Sequence, residues 1–222
     1  MDWLALTLSL QLAGWTVAIL LPVAVVLGRV LAFRAFRGKA LAEALVMLPL
    51  VLPPTVLGFY LLVGLGASSP IGRAWAGLFG QPLVFSFPGL VAASVLSSLP
   101  FAVQPAQRGF QAIPPALREA AATCGMTPAR ALWRVELPLA WPGLVTGMVL
   151  VFAHTLGEFG VVLMVGGSIP GETRTIAIAI YDRVQAFDMA AAGVMSAVLV
   201  AVSLVTIALT FALSARVGRR LG

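Results

Sequence analysis

The sequence predicts an all-α, polytopic membrane protein with five transmembrane helices, and three observations carry that prediction. Of 222 residues, 60% are hydrophobic and only 10% are charged, against about a quarter charged in soluble domains. The mean hydropathy is +1.03. The charges are also clumped, leaving 3–28, 44–72, 74–107, 137–157 and 189–215 without Asp, Glu, Lys or Arg. Each of these reaches the roughly 20 apolar residues that cross a hydrocarbon core. An ordinary soluble enzyme is excluded, because such a composition cannot build a surface that faces water.

The first span, about 5–31, contains Gln11, Gly14 and Pro22, and Pro22 is expected to kink it. The second, about 42–66, carries Pro49, Pro53, Pro54 and Thr55. Three prolines so close together must break or strongly bend a helix. Irregular backbone at that depth survives where it is buried in protein or lines a cavity; a kinked bundle helix and a path-lining segment both satisfy this. A Gly-, Ser- and Pro-rich loop, 67–83, leads to the third span, about 84–106. There Ser94, Ser97, Ser98 and Gln104 fall near one helical face. Small hydroxyl residues suit close helix contact better than a polar path, which stays as the alternative.

The longest polar interval is 107–141, and its punctuation is helical. Pro114-Pro115 can start a helix that Gly125 stops. Thr127-Pro128 reads as an N-cap with proline at the first helical position. Pro138 and Pro142 are expected to close this second segment before the fourth span. The result is a helix–turn–helix at the membrane surface, whose Ala120, Ala121 and Ala122 beside Arg118 and Glu119 form a low-profile knob for docking a protein. The fourth span, about 142–165, holds His154 and Glu158, four apart and so on one face. His154 reads as a packing residue. Glu158 either belongs to a path or gate, or caps a neighbour near the outer end. Residues 175–187 are apolar but carry Asp182 and Arg183; they form a short surface or re-entrant helix, or a sixth membrane segment. The fifth span, about 190–215, opens on small residues suited to close contact.

Five spans make the intervening gaps alternate sides. Arg29, Arg34, Arg37, Lys39, Arg108, Arg118, Arg130, Arg134, Arg216, Arg219 and Arg220 fall on one side, and only Arg73, Arg174 and Arg183 on the other. The positive-inside rule then puts the C-terminus in the cytoplasm and the N-terminus outside. The net charge of +6 is thus a topology signal, and no nucleic acid is expected as partner. Cys124 is the one cysteine, so no internal disulfide and no cysteine metal site is expected. No cleavable signal peptide is expected, since Met1-Asp2-Trp3 lacks a basic n-region. No phosphate-binding glycine loop, zinc spacing or catalytic triad stands out, so the chain is expected to be no enzyme, with no metal or cofactor of its own.

Glu119-Ala120-Ala121, Gly125 after three intervening residues, then Val135, Glu136, Leu137 and Pro138 resemble the EAA signature of permease subunits in bacterial ABC importers. The one departure is Val135 for Ile. A narrower resemblance, to the molybdate-transport type, covers about 5–215. Its carriers are Leu48 to Pro54, Gly157-Glu158-Phe159-Gly160 and Ile169-Pro170-Gly171-Glu172-Thr173-Arg174-Thr175. The last run favours molybdate over the similar sulfate or thiosulfate permeases.

The resemblance implies a single permease domain, 1–222, of type I importer architecture, with a coupling loop at 107–141. It implies a homodimer in the cell inner membrane over two copies of a cytoplasmic ATPase that binds Mg-ATP, fed by an oxyanion-binding protein. It further implies alternating access for molybdate, or tungstate. Arg118, Glu119, Ala120, Ala121, Gly125, Leu137 and Pro138 would dock the ATPase. A dianion crossing a low-dielectric region needs hydroxyls, dipoles and water. Thr55, Ser94, Ser98 and Thr155, with Glu158 at a gate, are the candidates for that path. A stand-alone secondary carrier and a structural protein that recruits a cytoplasmic partner are the other classes. The carrier usually shows inverted repeats, and none stands out.

Overall fold

A computed structural model describes the backbone of residues 1–221 and the side chains of residues 1–208. The described chain is helical throughout: α1 Trp3–Phe33, α2 Lys39–Val51, α3 Pro54–Leu65, α4 Pro70–Phe79, α5 Phe87–Gln111, α6 Pro115–Thr123, α7 Pro128–Ala131, a π turn Leu132–Glu136, α8 Leu137–Gly157, α9 Gly160–Gly166, α10 Ile176–Gln185 and α11 Met189–Leu221. Arg216, Arg219 and Arg220, used above for topology, lie outside the described side chains.

Among the described residues, four stretches are long and apolar enough to cross a membrane: 3–33, 87–111, 128–157 and 189–208. The α2–α3 pair supplies a fifth if it counts as one span. Its axis turns by 111°, sharper than a kink, and the cause is local. A residue before proline is disfavoured in the α region, and both Leu52 and Pro53 precede one. Leu52 is extended at φ −71°, ψ 138° and Pro53 at φ −54°, ψ 137°. Pro54 then opens α3, where its missing N–H costs nothing.

The core is a three-helix unit of α1, α5 and α8. Within a bilayer, lipid tails are as apolar as leucine, so helices associate through close packing and interhelical hydrogen bonds. The buried face of α1 repeats every three or four residues through Leu12, Thr16, Leu20, Ala24, Gly28 and Leu31. On α8 it runs through Ala140, Leu144, Gly147, Val151 and Thr155. Small residues mark the crossings. A Cβ on Gly143 would meet the Pro105 carbonyl oxygen at 2.5 Å and Gly109 Cα at 3.0 Å. One on Gly147 would lie 3.0 Å from the Ala102 carbonyl, and one on Gly28 2.9 Å from the Ala106 Cβ. The remaining helices flank this unit: α2 on α5, α3 on α9, and α11 on α8 and α10. Gln107 Nε2 donates to Glu43 Oε1 at 2.9 Å, tying α5 to α2.

Several boundaries differ from the sequence expectation: the expected loop 67–83 holds the helix α4, and the third span runs on to Gln111. The fourth span starts upstream of 142, because α7, the π turn and α8 form one continuous helix, 128–157. Pro138 and Pro142 therefore lie inside a helix and do not end it. The proline ring ordinarily clashes with the preceding turn; here the π turn widens the ladder just before Pro138, with Leu137 N–H bonding the Leu132 carbonyl. The interval 107–141, expected as a coupling loop, accordingly shrinks to a hairpin around α6, since 107–111 belong to α5. The same span ends before 165: α8 stops at Gly157, Glu158 is extended at φ −69°, ψ 124°, and α9 begins at Gly160. At 175–187 the helix α10 is ten residues long, about 15 Å, too short to cross alone. It packs against α11 and α1.

Candidate functional site

Two places bring the predicted residues together. The first is the hairpin at the Arg-rich end of α1, α5 and α8. Proline opens α6 at Pro115, and a Schellman-type cap closes it: Gly125 N–H bonds the Ala122 carbonyl at 3.0 Å and Met126 N–H the Ala121 carbonyl at 3.1 Å. Gly125 sits at φ +70°, a left-handed position where a Cβ is penalised. Thr127 Oγ1 accepts from Arg130 N–H and caps α7. Glu119, Ala120, Gly125 and Pro138 are exposed, while Arg118 and Leu137 are half-buried and Ala121 is buried. Ala121 and Arg118 thus hold the hairpin down, and Glu119, Ala120 and Gly125 face outward. Arg118 stacks over the Phe33 ring at 3.6 Å, the cation–π geometry.

The second place lies between α5 and α8. Ser98 Oγ is 3.0 Å from His154 Nδ1 and 3.3 Å from Thr155 Oγ1. His154 Nε2 is 3.5 Å from Glu158 Oε2, and its ring packs on Phe101 with centroids 4.4 Å apart. Glu158 Oε1 accepts the Val161 N–H at 3.0 Å, so this carboxylate caps the first turn of α9, where an anion is favoured. Ser94 Oγ is buried without a hydrogen-bond partner. Thr55 stands apart from the cluster, exposed in the first turn of α3.

The two helix breaks nevertheless meet. A Cβ on Gly160 would lie 2.7 Å from Pro54 Cβ, so the start of α9 rests on the start of α3. Thr55 and Glu158 are each one or two residues from that contact. Of the candidates, Ser98, Thr155 and Glu158 join one network through His154, which the sequence reading set aside as packing.

Beyond the break, the segment 168–175 is held down by its own side chains. Arg174 Nε donates to Ser168 Oγ at 3.0 Å, Ser168 Oγ to Asp182 Oδ2 at 3.0 Å, and Arg174 pairs with Asp182 at 3.3 Å. Ile176 N–H donates to Ser9 Oγ of α1 at 2.8 Å. Glu172 is exposed. Among the described residues, no three His, Cys, Asp or Glu side chains converge as metal ligands would.

Sequence reasoning missed two features. Gly143 and Gly147 make a Gly-x-x-x-Gly step, a legible signal for close helix approach. Glu136 is 3% exposed and is bound by Arg29; its position four residues before Ala140, on the buried face of α8, was the available clue.

Residues 24–222 match the family described as binding-protein-dependent transport system inner membrane component. The molybdenum transport system permease protein ModB of Azotobacter vinelandii is 50% identical over 191 residues, 86% of this chain and 84% of that protein. The sulfate transport system permease protein CysT of Escherichia coli K12 is 34% identical, over 83% of this chain and 66% of its own. Among solved structures, a chain of a bacterial alginate ABC transporter in complex with an alginate pentasaccharide-bound periplasmic protein superposes with a TM-score of 0.77. That match has 18% identity and covers 96% of this chain and 78% of the other; the likeness is one of fold.

Proposed function

Because the chain belongs to the inner-membrane components of binding-protein-dependent transport systems, a family of multi-pass permeases, we propose that it is the membrane subunit of an ATP-driven importer of molybdate. The observation that carries the substrate is half identity with a molybdenum transport permease across most of both chains. Similarity to a sulfate permease is lower, which leaves sulfate as the second reading.

The reading extends to mechanism. Two copies of the chain enclose the path, and each offers α6 to a cytoplasmic ATPase that binds Mg-ATP. The outward-facing Ala120 and Gly125 support that role, since small side chains let a partner groove approach the helix closely, and Glu119 is exposed beside them. Arg118 and Ala121 seat the hairpin on the spans, and Leu137 and Pro138 open the core helix beside it. The basic excess around it supports a cytoplasmic location, with the C-terminus on the same side and the N-terminus outside. A binding protein delivers the oxyanion to the opposite mouth. The path runs by the paired helix breaks at Pro54 and Gly160, because broken backbone at membrane depth belongs where it is buried in protein or lines a cavity. Thr55 and Glu158 flank it. Ser94, Ser98 and Thr155 supply hydroxyls when the α5–α8 contact opens, as alternating access requires. ATP hydrolysis stays on the partner.

Vesicles reconstituted with this chain, its ATPase and its binding protein test the proposal. ATP-dependent molybdate uptake that excess sulfate does not suppress is the expected result. Sulfate uptake in its place would overturn the substrate, and uptake with no ATPase present would overturn the class.

A further inference from the structure

Glu136 is held from two sides by residues far away in sequence. Arg29 of α1 grips it with two nitrogens: Nε with Oε2, and Nη2 with Oε1 at 3.1 Å. On the other side Arg118 of α6 brings its Nε to 3.6 Å from Oε1, just beyond hydrogen-bond length, and that Nε has no hydrogen-bond partner. Glu136 itself closes the π turn that joins α7 to α8. One buried carboxylate therefore touches all three parts of the Arg-rich end: the first span, the outward-facing hairpin and the long helix of the core.

The contacts are unequal, and that inequality suggests a joint. The bond to α1 is bidentate and the geometry fixed. The contact with α6 is a looser ion pair, and beside it lies an open pocket of about 170 Å³ lined by Arg118, Ala121, Met126 and Val135 as well as Arg29 and Glu136. There is room for α6 to move on the hub without leaving it. Burying a carboxylate is costly, and well-packed apolar residues usually stabilise such a place as well as an ion pair does. What charges add is a long-reaching, directional tether that holds through a shift of an ångström or so. A π turn at the tether site fits, since these irregular turns recur where helices serve function.

We propose that Glu136 is a positioning residue that couples α6 to α1 and α8, so that movement imposed on α6 by the ATPase is delivered to two core helices at once. This rests on the importer reading above and adds the element through which force passes. Without Glu136, α6 still docks, because its outward face is unchanged, but hydrolysis no longer drives the spans efficiently.

The test uses the reconstituted complex with ATPase and binding protein, and reads molybdate transported per ATP hydrolysed, alongside co-purification of the ATPase. Glu136→Gln is expected to retain the ATPase, and in both Glu136→Gln and Arg118→Gln the ratio is expected to fall about tenfold. The double variant is expected to be no worse than either single one, since both remove the same link. Arg118 is partly exposed, so its variant reports even where Glu136→Gln fails to fold. A wild-type ratio in Arg118→Gln overturns the inference, as do losses that multiply in the double variant. A wild-type complex with no ATP-dependent uptake would overturn the importer reading, and the inference with it.

Discussion

Gly143 of α8 lies against Gly109 of α5 so closely that a Cβ on the former would meet the latter's Cα at 3.0 Å and the Pro105 carbonyl oxygen at 2.5 Å. Backbone atoms form this contact, and no side chain can move aside to make room. Gly143→Val is therefore expected to push α5 and α8 apart and to cost about 1–3 kcal/mol or more, as overpacking does. Gly14→Ala is the control, since nothing lies within 4 Å of a Cβ there. Thermal unfolding in detergent should show a clear loss for the first and none for the second. Equal midpoints would mean that this crossing does not hold the core.

Ser98 is the joint of the α5–α8 polar cluster, reaching both His154 and Thr155. Interhelical hydrogen bonds of this kind contribute roughly 0.6–2 kcal/mol in membrane proteins. Ser98→Ala should lower stability by that order. Once it is in place, Thr155→Val should add little, because the Thr155 hydroxyl has already lost its partner. Fully additive losses would show that the two hydroxyls act apart.

Glu158→Ala removes the acceptor for the Val161 N–H and the partner of His154. Loss of a cap costs about 0.5–2 kcal/mol. Glu158→Gln keeps a carbonyl oxygen in reach and should keep most of the stability. Comparing the two by unfolding separates the cap from the charge: equal destabilisation would show that charge, and not the cap, matters. Molybdate uptake by the Gln variant then reports whether the charge also serves the path.

At Gly125 the surroundings are open, with nothing within 4 Å of a Cβ, yet φ is +70°. The penalty for another residue is conformational, about 1–2 kcal/mol for a non-glycine in this region. Gly125→Val should unwind the end of α6 and weaken ATPase co-purification. Gly125→Asn, which tolerates the left-handed region, should largely preserve it. If Asn and Val were equally harmful, bulk against the partner and not the turn would be the reason that glycine stands there.

The outward face of α6, its proline start and its glycine stop were all legible in the chain, because caps and turns obey local rules. So was the break at Pro53-Pro54, where the restriction is imposed by the next residue along. The break at Glu158 was not: Gly157-Glu158-Phe159-Gly160 holds no proline, and the apolar run 142–165 reads as one helix until a carboxylate is seen to cap the next. The continuation through Pro138 was equally hidden, since a π turn leaves no composition signal.

The sequence by itself thus determined that the chain crosses a membrane, roughly where it crosses, and where a helical hairpin interrupts it. These follow from charge-free length, from proline and from glycine. Only the tertiary structure decided which faces meet: Gly143 on Gly109, Pro54 on Gly160, Ser98 on His154, and Glu136 on an arginine 107 residues away. The reason is physical. A soluble helix declares its buried face by polar and apolar alternation, whereas a span in lipid is apolar all round. Its contacts are then set by shape and a few hydrogen bonds, which no periodicity records.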